Sequence, residues 1–341
     1  MAKEFHYDLF PFSMEISRLR RIPAMMSSLK IINGKLRAFS SIHPWTKNQV
    51  HLPPDLADFP VMIIMGSHIL GRGPHFFYQD LDVGSIIRDR LDHKPTYMYD
   101  DVPLSLLQKM HDRQLMDFER TQAVFTMSEW LRRSIIKTHA IDPSRVYTVH
   151  AAPNIPVQFN SNPYSLKNLD AQTLVFVGRD FVRKGGEILL KAWPHVLHHV
   201  PTAQLKLIGP SPKDIPGDAS SVHILGPLPV RDMIQEIGSA TGLVIPSLWE
   251  PYGIAFLEAM SLGLPVIGTN HMAMPEFIVS QTGYLAPAYN VEDLASKMIR
   301  LLTQKDETWA MSQAAFHHAQ GYQWSKVASQ MDAVMAKVIG L

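Results

Sequence analysis

Two glutamates, a glycine and two basic residues in the second half of this chain have the types and spacing for chemistry on an anionic ligand. Glu250 and Glu258 flank Pro251 and Gly253 in the stretch from Pro246 to Val266. An apolar strand is expected to end at Ile245 and a helix to begin near Ile254. The unpaired amides at that helix start, those of Ile254 and Ala255, favour an anion such as phosphate. Gly253 has no side chain to obstruct a ligand approaching the backbone. On spacing alone, two glutamates placed in this way read equally well as solvated surface carboxylates.

A second stretch, Val175 to Gly186, reads as strand, tight loop and helix, with Gly178 opening the loop. Arg179 and Lys184 in that loop can converge on a dianionic leaving group, with Lys184 near a helix start. Taken alone, two basic residues in a loop are ordinary surface charges. Between the two stretches, Val222 to Pro229 contains another glycine turn, which includes Gly226 and Leu228.

The elements that must position these residues follow from apolar patterning. Short apolar runs suggest strands over 59–65, 76–78, 123–126 and 145–150, then over 173–177, 203–208, 222–224, 242–245 and 265–267. Longer helical patterns lie between them, as at 186–195, 230–237 and 256–262. Alternating strand and helix implies an α/β fold with parallel sheets, because parallel strands need a crossover. The Pro- and Asn-rich segment from Ala152 to Tyr164 reads as a connection. It separates an N-terminal domain, 1–155, from a C-terminal one, 165–320, and a final helix covers 322–341. A cleft between two such domains is the expected ligand site.

Composition narrows the classes. The 341 residues are 46% hydrophobic and 18% charged, which argues against wholesale disorder. Cysteine is absent, which removes thiol catalysis, disulfides and thiolate metal sites. A formal net charge of +1 gives no reason to expect a nucleic-acid partner. No apolar run approaches the roughly 18 residues of a membrane span, and Met1–His6 lacks a signal-peptide pattern, so a cytoplasmic setting is expected. A dinucleotide fingerprint and a Walker phosphate loop are both missing.

The pattern Ser247-x-x-Glu250-Pro251-x-Gly253-x4-Glu258-Ala259-Met260-x2-Gly263-x-Pro265-Val266 closely resembles the nucleotide-sugar motif of retaining glycosyltransferase family 4, whose E-x7-E pair stands here as Glu250 and Glu258. The Gly178-Arg179…Lys184-Gly185 stretch resembles the family's strand–loop–helix element. Weaker similarity covers Phe125 to Leu131, Pro275-Glu276, Gly283-Tyr284-Leu285 and Trp324-Ser325. The resemblance implies a GT-B fold, with two Rossmann-like domains facing across a cleft. It implies a nucleoside diphosphate sugar as donor partner, a hydroxyl acceptor (lipid, glycan or small molecule), retention of anomeric configuration, and no metal or other cofactor. Arg179 and Lys184 would contact the diphosphate, Glu258 the ribose and Glu250 the donor sugar. Leu228 would lie near a base held largely through backbone. A GT-B epimerase or phosphorylase, or a nucleotide-sugar-binding scaffold, is the alternative.

The first half departs from the family pattern. The place of the family's Gly-Gly loop reads Phe10 to Glu15, without glycine. The place of its histidine reads Phe76 to Asp82, where Asp80 is the candidate replacement beside the acceptor or the sugar. Asp80-x-Asp82 also suits a divalent cation in a different, single-domain transferase class. His43, His68 and His75, near expected strand ends, are candidates to line the cleft. Arg18, Arg20 and Arg21 among apolar residues read as a solvated helix face, or alternatively as peripheral contact with the inner membrane face.

Overall fold

The computed structural model describes residues 29–32, 35–38, 61–64, 72–156, 161–215 and 222–340, the first three stretches as backbone. Phe10–Glu15, the Arg18–Arg21 cluster, His43 and His68 lie outside the described residues. Two compact units emerge, one of 1–150 with 325–341 and one of 151–324.

In the first unit, β1 (Leu29–Ile32) and β2 (Lys35–Ala38) form an antiparallel hairpin. A separate all-parallel sheet runs β3 (Val61–Ile64), β4 (His75–Gln79), β5 (Ala123–Thr126), β6 (Val146–Thr148). Every residue of β4 and β5 is buried. Strands covered on both faces have no polar side to show, so they read as continuous apolar runs. Helices Val83–Leu91, Leu104–Arg120 and Glu129–His139 supply the crossovers. Phe77, Phe118, Val124, Leu131 and Ile135 form the core between sheet and helices.

His75 opens β4 and is buried, its amide donating to Gln122 Oε1 at 2.7 Å. It therefore stands at the amino edge of the sheet, and the expectation that it lines a ligand site is corrected. In parallel α/β sheets, ligands meet the carboxyl edge.

Asp82 is almost fully buried and caps the Val83–Leu91 helix. Its Oδ2 accepts from Ser85 N at 3.0 Å and from Thr138 Oγ1 at 3.0 Å. Thr138 Oγ1 also lies 2.7 Å from His139 Nδ1, while His139 Nε2 lies 3.0 Å from Gln114 Oε1.

The second unit contains β7 (Thr173–Val177), β8 (Gln204–Ile208), β9 (His223–Gly226), β10 (Gly242–Val244), β11 (Val266–Thr269) and β12 (Gly283–Ala286). Their spatial order is β12-β11-β10-β7-β8-β9, with every pair parallel. The chain lays down β7 to β9 in one direction, then returns to place β10 on the other side of β7. That doubly wound order makes the carboxyl ends of β7 and β10 the switch point. β12 was not among the expected strands. Its sequence, Gly283-Tyr284-Leu285-Ala286, is short, and a Cβ on Gly283 would fall 1.9 Å from Val266 O of the adjoining strand. Close approach to β11, rather than an apolar run, makes it a strand.

Among the described residues, no helix is long and apolar enough to cross a membrane.

Burial pushes the His139 imidazole down to about 4; the Asp82 carboxylate opposes this and His111 adds to it. In the unfolded chain a histidine titrates near ~6.5, so the unfolded chain takes up the proton first. The stability tied to neutral His139 is present above that value and is lost as pH falls from ~6.5 toward 4, by at most about 1.4 kcal/mol per pH unit. Amide exchange in the Glu129–His139 helix is therefore expected to quicken between pH 7 and pH 5, once corrected for intrinsic rates. The quickening should be smaller in His139→Gln, and an equal one would remove this histidine as the cause.

Candidate functional site

The strand order sets the loop after β7 beside the loop after β10. The two are joined by backbone: Leu248 N donates to Arg183 O at 2.8 Å. Gly185, at φ +74°, occupies the left-handed region, and a Cβ there would fall 1.9 Å from Pro246 O. Both conformation and space therefore require glycine at this contact.

Side chains repeat the connection. Lys184 Nζ pairs with Glu250 Oε2. Arg183 Nη1 lies 3.5 Å from the same oxygen and donates to Trp249 O at 2.8 Å. Its Nε donates to Asp180 Oδ2 at 3.1 Å. Ser247 Oγ reaches Glu250 Oε2 at 3.5 Å, and Thr269 Oγ1 donates to Ser247 O at 2.6 Å. Glu250 is only 8% exposed, so it is not a solvated surface carboxylate. Buried carboxylates persist where cations and hydrogen bonds compensate them. Arg179, in the same loop, is exposed and makes no hydrogen bond or ion pair among the described residues. It is a cation with no internal partner.

The helix Ile254–Ser261 begins directly after Gly253, which adopts φ +88°. Phe256 N already donates to Gly253 O at 3.0 Å, whereas the half-exposed Ile254 and Ala255 occupy the first two helical positions, where amides have no intrahelical acceptor. One turn on, Glu258 Oε1 accepts from Asn154 N at 3.2 Å. Burial raises the Glu258 pKa, while the Asn154 amide and the Lys184 charge pull it down. Tyr252 Oη accepts from Ala151 N at 3.0 Å, so the 151–156 connection is stitched to this loop twice.

Three neighbouring strand ends carry glycine. Gly178 N donates to Ile208 O at 2.9 Å, and Gly209 N donates to Gly226 O at 2.8 Å. Gly209 has φ +110°, and a Cβ on it would lie 2.8 Å from the Gly178 backbone. The ends of β7, β8 and β9 thus form a ledge without side chains, with half-buried Leu228 just beyond it. Sequence reading singled out Gly178 and Leu228 but passed over Gly209, although Ile208-Gly209-Pro210 closes an apolar strand. It also passed over Asp180 and Arg183 as site residues.

In the first unit, Asp80 follows β4 at the carboxyl edge and is half-buried. Its charge adds to burial in raising the Tyr78 and Tyr99 phenols. Asp82 is committed to its helix cap, so the Asp80-x-Asp82 pair does not present two carboxylates to one ion. No group of three histidine or acidic side chains able to hold a metal occurs among the described residues.

Residues 171–304 match the family model for glycosyl transferases group 1. The chain is 25% identical over 268 residues to a D-inositol 3-phosphate glycosyltransferase of Corynebacterium efficiens, covering 72% of this chain and 63% of that protein. It is 29% identical over 197 residues to a GDP-mannose-dependent monoacylated α-(1-6)-phosphatidylinositol monomannoside mannosyltransferase of Corynebacterium glutamicum, covering 54% and 51%. The chain thus spans less than two thirds of the length of these curated relatives. Among solved structures, sucrose-phosphate synthase from Thermosynechococcus elongatus superposes with a TM-score of 0.63 at 18% identity, over 79% of this chain and 69% of that one. The fold is that of the GT-B glycosyltransferases.

A raised Glu258 pKa means that the folded protein holds this proton more tightly than the unfolded chain does. The ionised carboxylate therefore costs stability above its folded pKa, and the cost disappears as pH falls through that value. Glu258→Gln is expected to raise the thermal midpoint at pH 7.5 and to leave it nearly unchanged at pH 4. A lower midpoint at pH 7.5 would show that the carboxylate stabilises the fold.

Proposed function

We propose that this protein transfers a glycosyl group from a nucleoside diphosphate sugar to a hydroxyl acceptor, with retention of anomeric configuration and without a metal. The observation that carries the reading is the Lys184–Glu250 pair at the switch point, bracketed by Arg179, which has no partner among the described residues, and by the Ile254 and Ala255 positions. It sets phosphate-binding groups next to a carboxylate suited to sugar hydroxyls. Similarity to group 1 glycosyltransferases over 171–304 supports it, as does a relative named for its dependence on GDP-mannose.

In this reading the base lies along the ledge at Gly178, Gly209 and Gly226, near Leu228. Glu258 accepts hydrogen bonds from the ribose hydroxyls. The bond from the anomeric carbon to the β-phosphate oxygen breaks and its electron pair leaves with the diphosphate. Lys184, Arg179 and the amides after Gly253 stabilise the charge that builds there, a preorganised electrostatic role. Glu250 holds the donor sugar. The acceptor oxygen bonds the anomeric carbon on the face the diphosphate leaves, and its proton passes to the departing phosphate oxygen. A covalent double displacement would need a nucleophile on the opposite face, a role this reading assigns to no residue. Acceptor handling is assigned to the first unit, with Asp80 beside the acceptor or the sugar.

A thermal-shift panel of UDP-, GDP-, ADP- and dTDP-sugars tests the donor. One member is expected to stabilise the protein by about 2.7 kcal/mol at a concentration 100 times its Kd. Turnover of that donor is expected to survive EDTA and to fall by about two orders of magnitude in Lys184→Ala. A panel without any shift, or Lys184→Ala turning over at the wild-type rate, would sink the reading.

A further inference from the structure

Glu250 is held on one side only. Lys184, Arg183 and Ser247 all approach Oε2, and among the described residues Oε1 makes no hydrogen bond. Oε1 is therefore the atom left for a ligand, and whatever fixes Oε2 aims it.

The two cations on Oε2 differ in how they are anchored. Among the described residues the Lys184 ammonium bonds Glu250 alone. Arg183 is fixed around its whole length. Its amide donates to Asp180 Oδ1 at 3.2 Å and its carbonyl accepts from Leu248 N at 2.8 Å. Its guanidinium binds Asp180 Oδ2 and Trp249 O besides Glu250. An ammonium on a flexible stem is easily redirected, whereas a guanidinium held by several acceptors keeps its plane. A diphosphate entering beside Arg179 competes with Glu250 for Lys184. If Lys184 turned away with no second cation in place, a nearly buried carboxylate would lose its main compensation.

We propose that Arg183 is a positioning residue that keeps the Glu250 carboxylate in place, Oε1 toward the donor sugar, while Lys184 is drawn to the diphosphate. The inference rests on the reading of the second unit as a nucleotide-sugar site. Arg183 itself touches neither phosphate nor sugar in this account, which separates its effect from those of Arg179 and Lys184.

Calorimetric titration of the full chain with two ligand pairs, UDP against UDP-glucose and GDP against GDP-mannose, provides the test. In Arg183→Met the affinity for the bare nucleotide is expected to stay within about twofold of wild type, while that for the matching nucleotide sugar falls about tenfold. Glu250→Gln should show the same selective loss. The double variant should lose no more than Glu250→Gln alone, because both changes remove one arrangement. Dilute guanidinium should restore part of the lost sugar affinity in Arg183→Ala, an effect a merely destabilised protein would not show. Asp180→Asn, at an exposed anchor, should give a smaller loss of the same kind and serves if the arginine variants do not fold. An equal loss for nucleotide and nucleotide sugar, an unchanged ratio, or full additivity with Glu250→Gln would each overturn the role. If the wild type binds neither these pairs nor their ADP and dTDP counterparts, the reading of the site itself fails. That outcome differs from one in which the wild type binds and only the Arg183 effect is missing.

Discussion

The ion pair between Lys184 and Glu250 joins the two loops on which the candidate site depends. It can form only because the order of strand placement reverses between β9 and β10, which puts β10 beside β7 and sets loops 66 residues apart in the chain side by side. The sheet supplies proximity, and glycine supplies the final approach. At Gly185 the backbone comes so close to Pro246 O that no side chain fits. Once the backbones touch, Arg183 and Lys184 both fall on one carboxylate, and the arrangement closes. Removing any of these layers leaves a buried charge without a counter-charge, the expensive case for an ion pair.

The same arrangement is costly for the fold. Gly185, Gly209 and Gly253 lie at positive φ around the site, positions that lose much freedom on folding. Glu258 is buried far enough to raise its pKa. None of these features improves core packing, which is supplied elsewhere by residues such as Phe176, Leu205 and Phe256. Ordered glycines and buried charge gathered at one sheet edge are what is expected where binding, rather than stability, has shaped the chain. The buried network of Asp82, Thr138, His139 and Gln114 in the first unit is different. There the hydrogen bonds cap a helix and tie it to its neighbours, so the carboxylate serves the fold.

Much of this was legible in the sequence because it rests on local signals. Apolar runs, bounded by glycine or proline at β4, β7, β8 and β10 and by polar residues at β5, marked these strands, and the Glu250–Glu258 pattern marked the loop and helix after β10. What escaped depends on tertiary placement. In the sequence Lys184 is picked out by the glycine-bounded loop pattern, and nothing marks Arg183 beside it. Only the fold shows that Arg183 is anchored at Asp180 and Trp249 as well as Glu250, while the Lys184 ammonium pairs with Glu250. Asp80 and Asp82 read as a pair, but a helix starting at Val83 turns Asp82 inward as its cap. His75 looked like a strand-end residue, and it is one, at the edge away from the ligand side. Gly209 was overlooked because a glycine after an apolar run is common, and its meaning comes from Gly178 on the adjoining strand.

The charge count shows why such a site is hidden from composition. Asp180, Arg183, Lys184 and Glu250 are two acids and two bases in mutual contact, so together they add nothing to a net charge of +1. An anion site built from unpaired cations would show as a basic patch and would attract any phosphate. Here the central cation is already occupied by a carboxylate, and under the proposed function a ligand must offer something to that carboxylate as well as to the lysine. A phosphate that carries a hydroxyl-rich group answers both demands, whereas bare phosphate answers only one. On the proposed reading, neutrality of the loop pair would be a source of selectivity, because the internal partner competes against incomplete ligands.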